Sequence, residues 1–422
     1  MKKTRAYLQT GAVLSCVLFS SSFSSATLAS GFRLPELSTA GTAMSNAMVA
    51  NPDTPGALPY NPAATGFQTQ GELVVGAIFI QPDISVTPDG GTSVASQGKE
   101  TVAVPNVFAS NLIDNNWSWG VGINAPFGLE TRWQAGTFDT FATLGVAFLE
   151  PEHSKIEMLN VNPNVAYRFG NTSIALGIDN YQVRKLIFNT QSIRISGSGQ
   201  DYGWNIGLLH AQNNWSVGLS YRSNVKVKVN GTVDGTLIGS SVSNADAEID
   251  FPSLLQVGAR YQFNDRLAME LDVERTGWSS FDTIEVNHSS SPPLSSPIIS
   301  RNDWKDATAY RLGGSYELSS TDQLRFGYSF DGTPGNDDFF SARVPGNDRQ
   351  TFSLGLAHEQ AGWTVEFAYM YVQAEDREIN APANSYLTRL GSGDTDPNGT
   401  DAFNGTYKLS AHLVAFGVNT HF

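Results

Sequence analysis

A single cysteine, Cys16, occurs in 422 residues, and it lies in an amino-terminal leader, so the chain expected after cleavage carries none. Disulfides, cysteine-ligated metals and thiol chemistry are excluded together. After the leader no stretch approaches eighteen consecutive apolar residues, which excludes membrane-spanning helices. Basic residues are also scarce: 26 Lys and Arg stand against 40 Asp and Glu, for a net charge of -14 and no basic patch. Nucleic acid is therefore not an expected partner. His153, His210, His288, His358, His412 and His421 have no metal-ligand spacing, and neither a Gly-x-Ser-x-Gly elbow nor a phosphate loop occurs. No cofactor and no enzymatic site are expected. Asp394, Asp396 and Asn398 before Gly399 form a weak calcium candidate, but Gly405 stands where a closing glutamate belongs, so the default is a polar loop.

What is present begins with an export signal. Lys2, Lys3 and Arg5 precede an apolar run from Ala6 to Phe19, and Thr27-Leu28-Ala29 places small residues at both cleavage-determining positions. Residues 1–29 read as a signal peptide cut after Ala29. Losing its three basic residues takes the charge from -14 to -17.

The exported chain is rich in Gly, Phe and Tyr and repeats one pattern of strand, tight turn, strand and longer polar loop. In Tyr407 to Phe422, the column Val414, Phe416, Val418, Thr420 and Phe422 alternates with Ala415, Gly417, Asn419 and His421, as a strand between lipid and a wetter interior would. Tight turns fall at 114–116, 170–172, 212–214, 264–266, 319–322 and 360–362, and longer loops near 82–98, 127–153, 189–200, 231–248, 287–303, 332–347 and 375–404. Six turns and seven loops join fourteen strands, an even number suited to a bacterial barrel. The outward columns are Trp215, Val217, Leu219, Tyr221, Val225, Val227 and Val229 on one strand and Leu267, Met269, Leu271 and Val273 on another. Arg222, Lys226, Lys228, Glu270, Asp272 and Glu274 then face the lumen. Trp117, Trp119, Trp215, Trp363, Tyr221, Tyr369 and Tyr371 suit interfacial girdles. Hairpin arithmetic sets Arg260 opposite Glu270, Glu317 against Arg325 and Arg311 against Asp331, as charge pairs within the wall.

Residues 30–70 cannot belong to that wall, because they carry five prolines and no two-residue alternation. A compact segment of small residues folded inside the barrel fits better than a charged tail. Ser30-Gly31-Phe32 and Asn61-Pro62-Ala63, together with Tyr221-Arg222-Ser223, the stretch Arg325 to Asp331, Val344-Pro345 and Asp348-Arg349, resemble the outer-membrane long-chain fatty acid and hydrocarbon transporter family, the FadL and TodX type. The reading is an all-β fold: a 14-stranded antiparallel transmembrane β-barrel (71–422) with an N-terminal lumenal hatch (30–70) of short helices and loops.

The resemblance implies passive, hatch-gated uptake of hydrophobic molecules, with lateral release at a kinked third strand. Asn61, Pro62 and Ala63 take the gating role by that resemblance and are expected to meet the kink, with Gly120, Gly122 and Pro126 as its flexible part. Ala368, Met370 and Val372 are apolar inward positions suited to a substrate pocket or to core filling against the hatch. Arg132, Lys155, Arg184 and Lys185 are candidates for attracting a carboxylate head group, or for binding lipopolysaccharide phosphates. The family's outer greasy groove is not matched in the short third loop near 189–200. Expected partners are a hydrophobic small molecule and outer-membrane lipid and lipopolysaccharide, with the chain a monomer. An adhesin or phage receptor, or a lipid-modifying enzyme on a barrel scaffold, are the alternatives.

Overall fold

The computed structural model describes residues 31–97, 100–235, 242–289 and 296–422; the signal peptide and its cleavage position lie outside them. Fourteen antiparallel strands close on themselves. They are β1 (Glu72–Pro88), β2 (Val102–Leu112), β3 (Trp117–Asn124), β4 (Pro151–Phe169), β5 (Thr172–Thr190), β6 (Ile193–Gln212), and β7 in two pieces (Trp215–Arg222 and Val225–Gly235). β8 follows, also in two pieces (Ser243–Phe251 and Leu254–Gln262), then β9 (Leu267–Thr276), β10 (Ala307–Glu317), β11 (Asp322–Asp331), β12 (Arg349–Gln360), β13 (Trp363–Ala374) and β14 (Gly405–His421). β14 pairs with β1 from Glu72↔His421 to Pro88↔Gly405, so no edge is left along that seam. The six tight turns all lie at one end, which the barrel rule places on the periplasmic side.

The polarity of the wall depends on height. Near the short-turn end the outward residues are apolar, as in Leu73, Val75, Ala77 and Phe79 of β1, or Leu267, Met269, Leu271 and Val273 of β9, while Glu270, Asp272 and Glu274 are buried inside. Toward the loop end the outward residues of β1 become Gln81, Asp83, Ser85 and Thr87, and the inward ones Ile78, Ile80, Ile84 and Val86. Several stretches expected to be loops are strands continuing into this upper section: 189–200 is a hairpin of β5 and β6 turning at Gln191-Ser192, and 231–248 includes the ends of β7 and β8.

β7 shows how the reversal is made, and it corrects the column assigned from sequence. Trp215, Val217, Leu219 and Tyr221 face out as expected, but Val225, Val227 and Val229 are buried inside and Lys226 and Lys228 point outward. One extra residue is inserted near Ser223: Arg222 pairs with Asn205 of β6, whereas Val229 pairs with Gly199, so the register slips by one. Such a bulge exchanges the two faces of everything beyond it. β8 changes parity at Pro252-Ser253, so β7 and β8 remain matched through Arg222↔Leu254 and Val225↔Phe251. Outside, Lys226 meets Asp250 at 3.3 Å and Glu248 at 3.6 Å.

Residues 31–70 fill the lumen as short turns. The helix Thr39–Ala43 begins where Ser38 Oγ accepts from the Gly41 N–H at 3.0 Å, and 3-10 turns follow at Pro55–Ala57 and Pro62–Phe67.

Candidate functional site

Above the hatch, the inward apolar residues of the upper barrel enclose two cavities. The inner one spans about 920 Å³, space open to solvent included, and is lined by Phe32, Leu129, Ile156, Leu186, Ile195, Ile249, Phe281, Ile284, Ile298 and Trp304, among others. The outer one, about 1030 Å³, is bounded by Val146, Phe148, Leu149, Ile193, Ile299, Leu390 and Phe403. Phe188, Ile195, Ile298 and Arg343 line both, so one wall separates the two spaces. These linings suit an apolar ligand. The floor is a nest of rings: Phe32 packs 4.8 Å from Trp278, 5.1 Å from Phe281 and 5.9 Å from Phe127. Gly31, at φ 65°, sits under Trp304 and Trp278 where a Cβ would meet ring atoms at 2.5 and 2.7 Å.

Of the head-group candidates, only Lys155 lines the inner cavity, and it is neutralised by Glu130 and Glu157, each at 3.4 Å. Burial alone would raise the Glu130 carboxyl, but His153, Lys155 and Arg132 together hold it down to about 2. Arg132 binds the same Glu130 at 2.7 Å, while Arg184 and Lys185 are exposed at a bulge on the outside of β5. The cation missed in the sequence is Arg343. Its guanidinium stacks 3.9 Å over Phe188 and donates to Ser300 Oγ at 2.9 Å, its Nε is buried without a partner, and no carboxylate pairs with it among the described residues. Burial draws this guanidinium down to about 10 against the pull of Asp396. Arg377, the other cavity arginine, is held by Asp337 at 2.6 Å.

Ala368, Met370 and Val372 do not line either cavity. They are fully buried in a packed cluster with Leu34, Ala43, Ile78 and Leu413, which is the core-filling outcome. The calcium candidate is likewise occupied by protein cations: Arg301 reaches Asp394 at 2.8 Å and Asp396 at 3.5 Å, and Arg389 takes the carbonyls of Asp396 and Asn398.

The third strand leaves the wall at Pro126, not at the glycines. Gly120 and Gly122 stay in the ladder opposite Ser110 and Phe108 of β2, and their missing side chains make room for Leu58 of the hatch. After Asn124 the chain turns inward: Leu34 N donates to Pro126 O and Gly128 N to Phe32 O, each at 2.9 Å. It then rejoins β4 as Gly128–Arg132. β2 and β3 pair only through Val107–Leu112, so Val102 to Asn106 have no partner on that side among the described residues. The ladder is therefore left open there, bounded above by Ser96 and Gln97, which bond to Arg132.

The hatch residues meeting the kink are Phe32, Arg33 and Leu34. Asn61, Pro62 and Ala63 lie instead against β6, where Asn61 Nδ2 donates to Leu208 O at 3.0 Å and Gly207 admits the turn.

Hatch and wall are bonded unequally. On β7 to β12, Asp272 accepts the N–H groups of Met48 and Val49 at 2.8 and 3.0 Å, Glu270 accepts that of Ala50 at 2.6 Å, and Ser353 binds Ser45 and the Ala43 carbonyl. Arg33 pairs with Glu274, which is shared with Arg311 at 3.1 Å; Arg311 continues to Asp331 at 3.1 Å and Asp331 to Arg349 at 2.6 Å. Arg260 stands opposite Glu270 at 4.0 Å and also reaches Asp53 at 3.0 Å. The expected Glu317–Arg325 contact is corrected: Glu317 faces Gln323, and Arg325 pairs with Glu366 at 2.5 Å. Gly218, Gly258, Gly313, Gly327 and Gly355 bring the wall onto the backbone or small side chains of Ala43 to Ala50; at Gly327 a Cβ would lie 2.3 Å from the Met44 carbonyl carbon. On β1 to β5, below the kink, the hatch is held mainly by packing: Leu58 lies against Val74 and Phe108, Ala63 and Ala64 against Ala166 and Ala175, and Arg168 over the Phe67 ring at 4.5 Å, while the side-chain hydrogen bonds there are Thr65 to Ser118 at 3.5 Å and Gln68 to Glu72 at its exit.

Comparison with known proteins agrees with this architecture. The family described as outer membrane protein transport protein (OMPP1/FadL/TodX) matches residues 20–422. The long-chain fatty acid transport protein of Escherichia coli K12 is 24% identical over 404 residues, covering 82% of this chain and 88% of that one. Among solved structures, a Pseudomonas aeruginosa FadL homologue superposes with TM-score 0.75 at 16% identity, covering 93% of this chain and 100% of that one. The Ralstonia pickettii toluene transporter TbuX gives TM-score 0.67 at 17% identity, covering 92% and 98%. Closed barrel, apolar belt and family match together place the chain in the bacterial outer membrane as a member of the OMPP1/FadL/TodX family of transport proteins, not of an enzyme family.

Proposed function

We propose that this protein takes up long-chain amphiphiles with an acidic head, fatty acids foremost, by passive diffusion. Cargo enters the outer cavity, passes the Arg343–Phe188 stack into the inner one, and leaves sideways between β2 and β3 after the hatch shifts. The observation carrying this reading is the continuity of the apolar path: the cavity floor at Phe32 packs directly on Phe127, in the segment that bends away from the gap. Arg343 supplies the preference for an anionic head, since a guanidinium with no carboxylate in direct ion-pair contact gains from one. The hatch shifts on its β1 to β5 side, where packing rather than ion pairs holds it and its charged bonds lie on the other.

Two engineered disulfides separate the sides. Oxygens of Thr65 and Ser118 lie 3.5 Å apart and those of Ser45 and Ser353 2.8 Å, so cysteines at either pair are within bridging range. Oxidised Thr65→Cys/Ser118→Cys is expected to lower uptake of a labelled long-chain fatty acid at least tenfold, reversed by reductant, in a strain without its own homologue. Ser45→Cys/Ser353→Cys should leave uptake within about twofold. Undiminished uptake with the first pair fully oxidised would refute hatch gating on that side.

A further inference from the structure

The place where the wall divides carries a polar feature that capture and gating do not use. The last β2–β3 pair above the closed ladder is Val107↔Ile123, and the next positions, Asn106 and Asn124, stand on either side of the fork. Asn124 is in turn opposite Asn160 of β4. All three side chains point inward and are no more than 3% exposed. Both amide atoms of Asn106 and the Oδ1 atoms of Asn124 and Asn160 are buried without hydrogen-bond partners. Thr39 Oγ1 of the hatch, beside Asn106 over Gly76, is unpartnered as well. Buried amide atoms left unpaired are rare and costly, and such atoms on three neighbouring strands call for a reason, although the Asn160 Nδ2 is itself held by Asp179 at 2.8 Å. Directly above them the inward residues turn apolar: Val102 and Val104 on β2, with Ala125 packed against the same cluster.

The geometry points to a head-group site at this fork, in which Asn106, Asn124 and Asn160 hold the single hydrogen-bonding head of an amphiphile while its tail enters lipid through the gap above. An amide offers both a donor and an acceptor. It therefore takes a hydroxyl or a carboxyl by hydrogen bonds alone, because the Asp179 that binds Asn160 is already paired with Arg222. The site orients departure tail first. It also makes this exit selective for cargo bearing one polar end, where a bare hydrocarbon gains nothing from the amides. This rests on lateral release as proposed above, but is separable from it.

The test compares 1-hexadecanol with hexadecane, which differ only in the head and neither of which carries a charge for Arg343. Uptake is measured in cells expressing the full chain, with heat-modifiable gel migration confirming a folded barrel. Asn106→Leu/Asn124→Leu should lower alcohol uptake at least fivefold and leave the alkane within twofold, and Asn106→Ser/Asn124→Ser should recover at least half of the alcohol rate. Equal loss for both cargoes, or no loss for either, overturns the head-group site. If the oxidised Thr65–Ser118 lock stops neither cargo, the route itself is wrong; if it stops both while the Leu variant treats them alike, only this site falls. Should the Leu variant not fold, Asn106→Ala/Asn124→Ala takes its place, with an alcohol-specific loss of at least twofold expected and refutation by equal loss for both cargoes or by none.

Discussion

The lower and upper halves of the barrel use the same strands with opposite faces wetted. In the lower half Leu271 is 55% exposed to the surroundings and Asp272 is sealed inside, while in the upper half Val227 is sealed inside and Lys228 stands in solvent. Lipid outside with a bonded hatch inside demands the first arrangement; water outside with an apolar cavity inside demands the second. The exchange is achieved on β7 and β8 by a one-residue slip and on β1 and β14 by a change of composition alone. A barrel can thus hold an oily chamber above a plug bonded to charged wall residues in one continuous lumen.

The comparison is broken most severely by a charge on the wrong face. Leu271→Arg sets a guanidinium in the hydrocarbon layer at a cost of about 2–4 kcal/mol, and is expected to abolish heat-modifiable barrel in membranes. Gln200→Arg, outward but in the upper half, should assemble as the parent does. A smaller effect sharpens the upper half's chemistry. Arg343→Met should weaken binding of a long-chain carboxylate to purified protein by roughly ten- to a hundredfold, in line with ~1.5–3 kcal/mol for a hydrogen bond to a charged group, and leave the methyl ester almost unchanged. Equal weakening of both ligands would assign Arg343 to packing.

The smallest effect concerns acid. Glu130 titrates at about 2 in the folded protein against an ordinary 4.5, so its contribution is complete above 4.5 and is lost as pH falls toward 2. Thermal stability should therefore keep its Glu130-dependent part at pH 5 and lose it by pH 2, and Glu130→Gln should flatten only that portion of the profile.

Much of the lower half was legible from the sequence because a two-residue period is forced wherever one face meets lipid. The β9 columns, the six tight turns and the Arg260–Glu270 register all follow from it. What escaped was set by single residues or by contacts between distant segments. The bulge at Ser223 leaves no mark except a break in one column, so Val225, Val227 and Val229 read as lipid-facing when they look into the cavity side. In the β10–β11 hairpin, Ser319 Oγ takes the Asp322 N–H and closes a shorter turn than matching Leu318 to Leu324 allows, shifting the register by two. Arg311 still reaches Asp331, because neighbours two residues along remain within range of so long a side chain. The cavity itself lay largely in stretches set aside as polar loops, where Ile193, Ile195 and Ile298 were the available signal. The seat of Asn61-Pro62-Ala63 against Gly207, far away in sequence, was not readable at all from one chain.

The glycines beneath Ala43 to Ala50 carry a consequence for how this protein can be rebuilt. From β7 to β12 they present bare backbone to the hatch, leaving less than a methyl group's clearance at Gly218 and Gly327. Plug and cylinder are therefore moulded to each other like a casting and its die. A chimera carrying a relative's first forty residues, or this chain's residues 31–70 in a relative's barrel, will seat only where both surfaces are transplanted together.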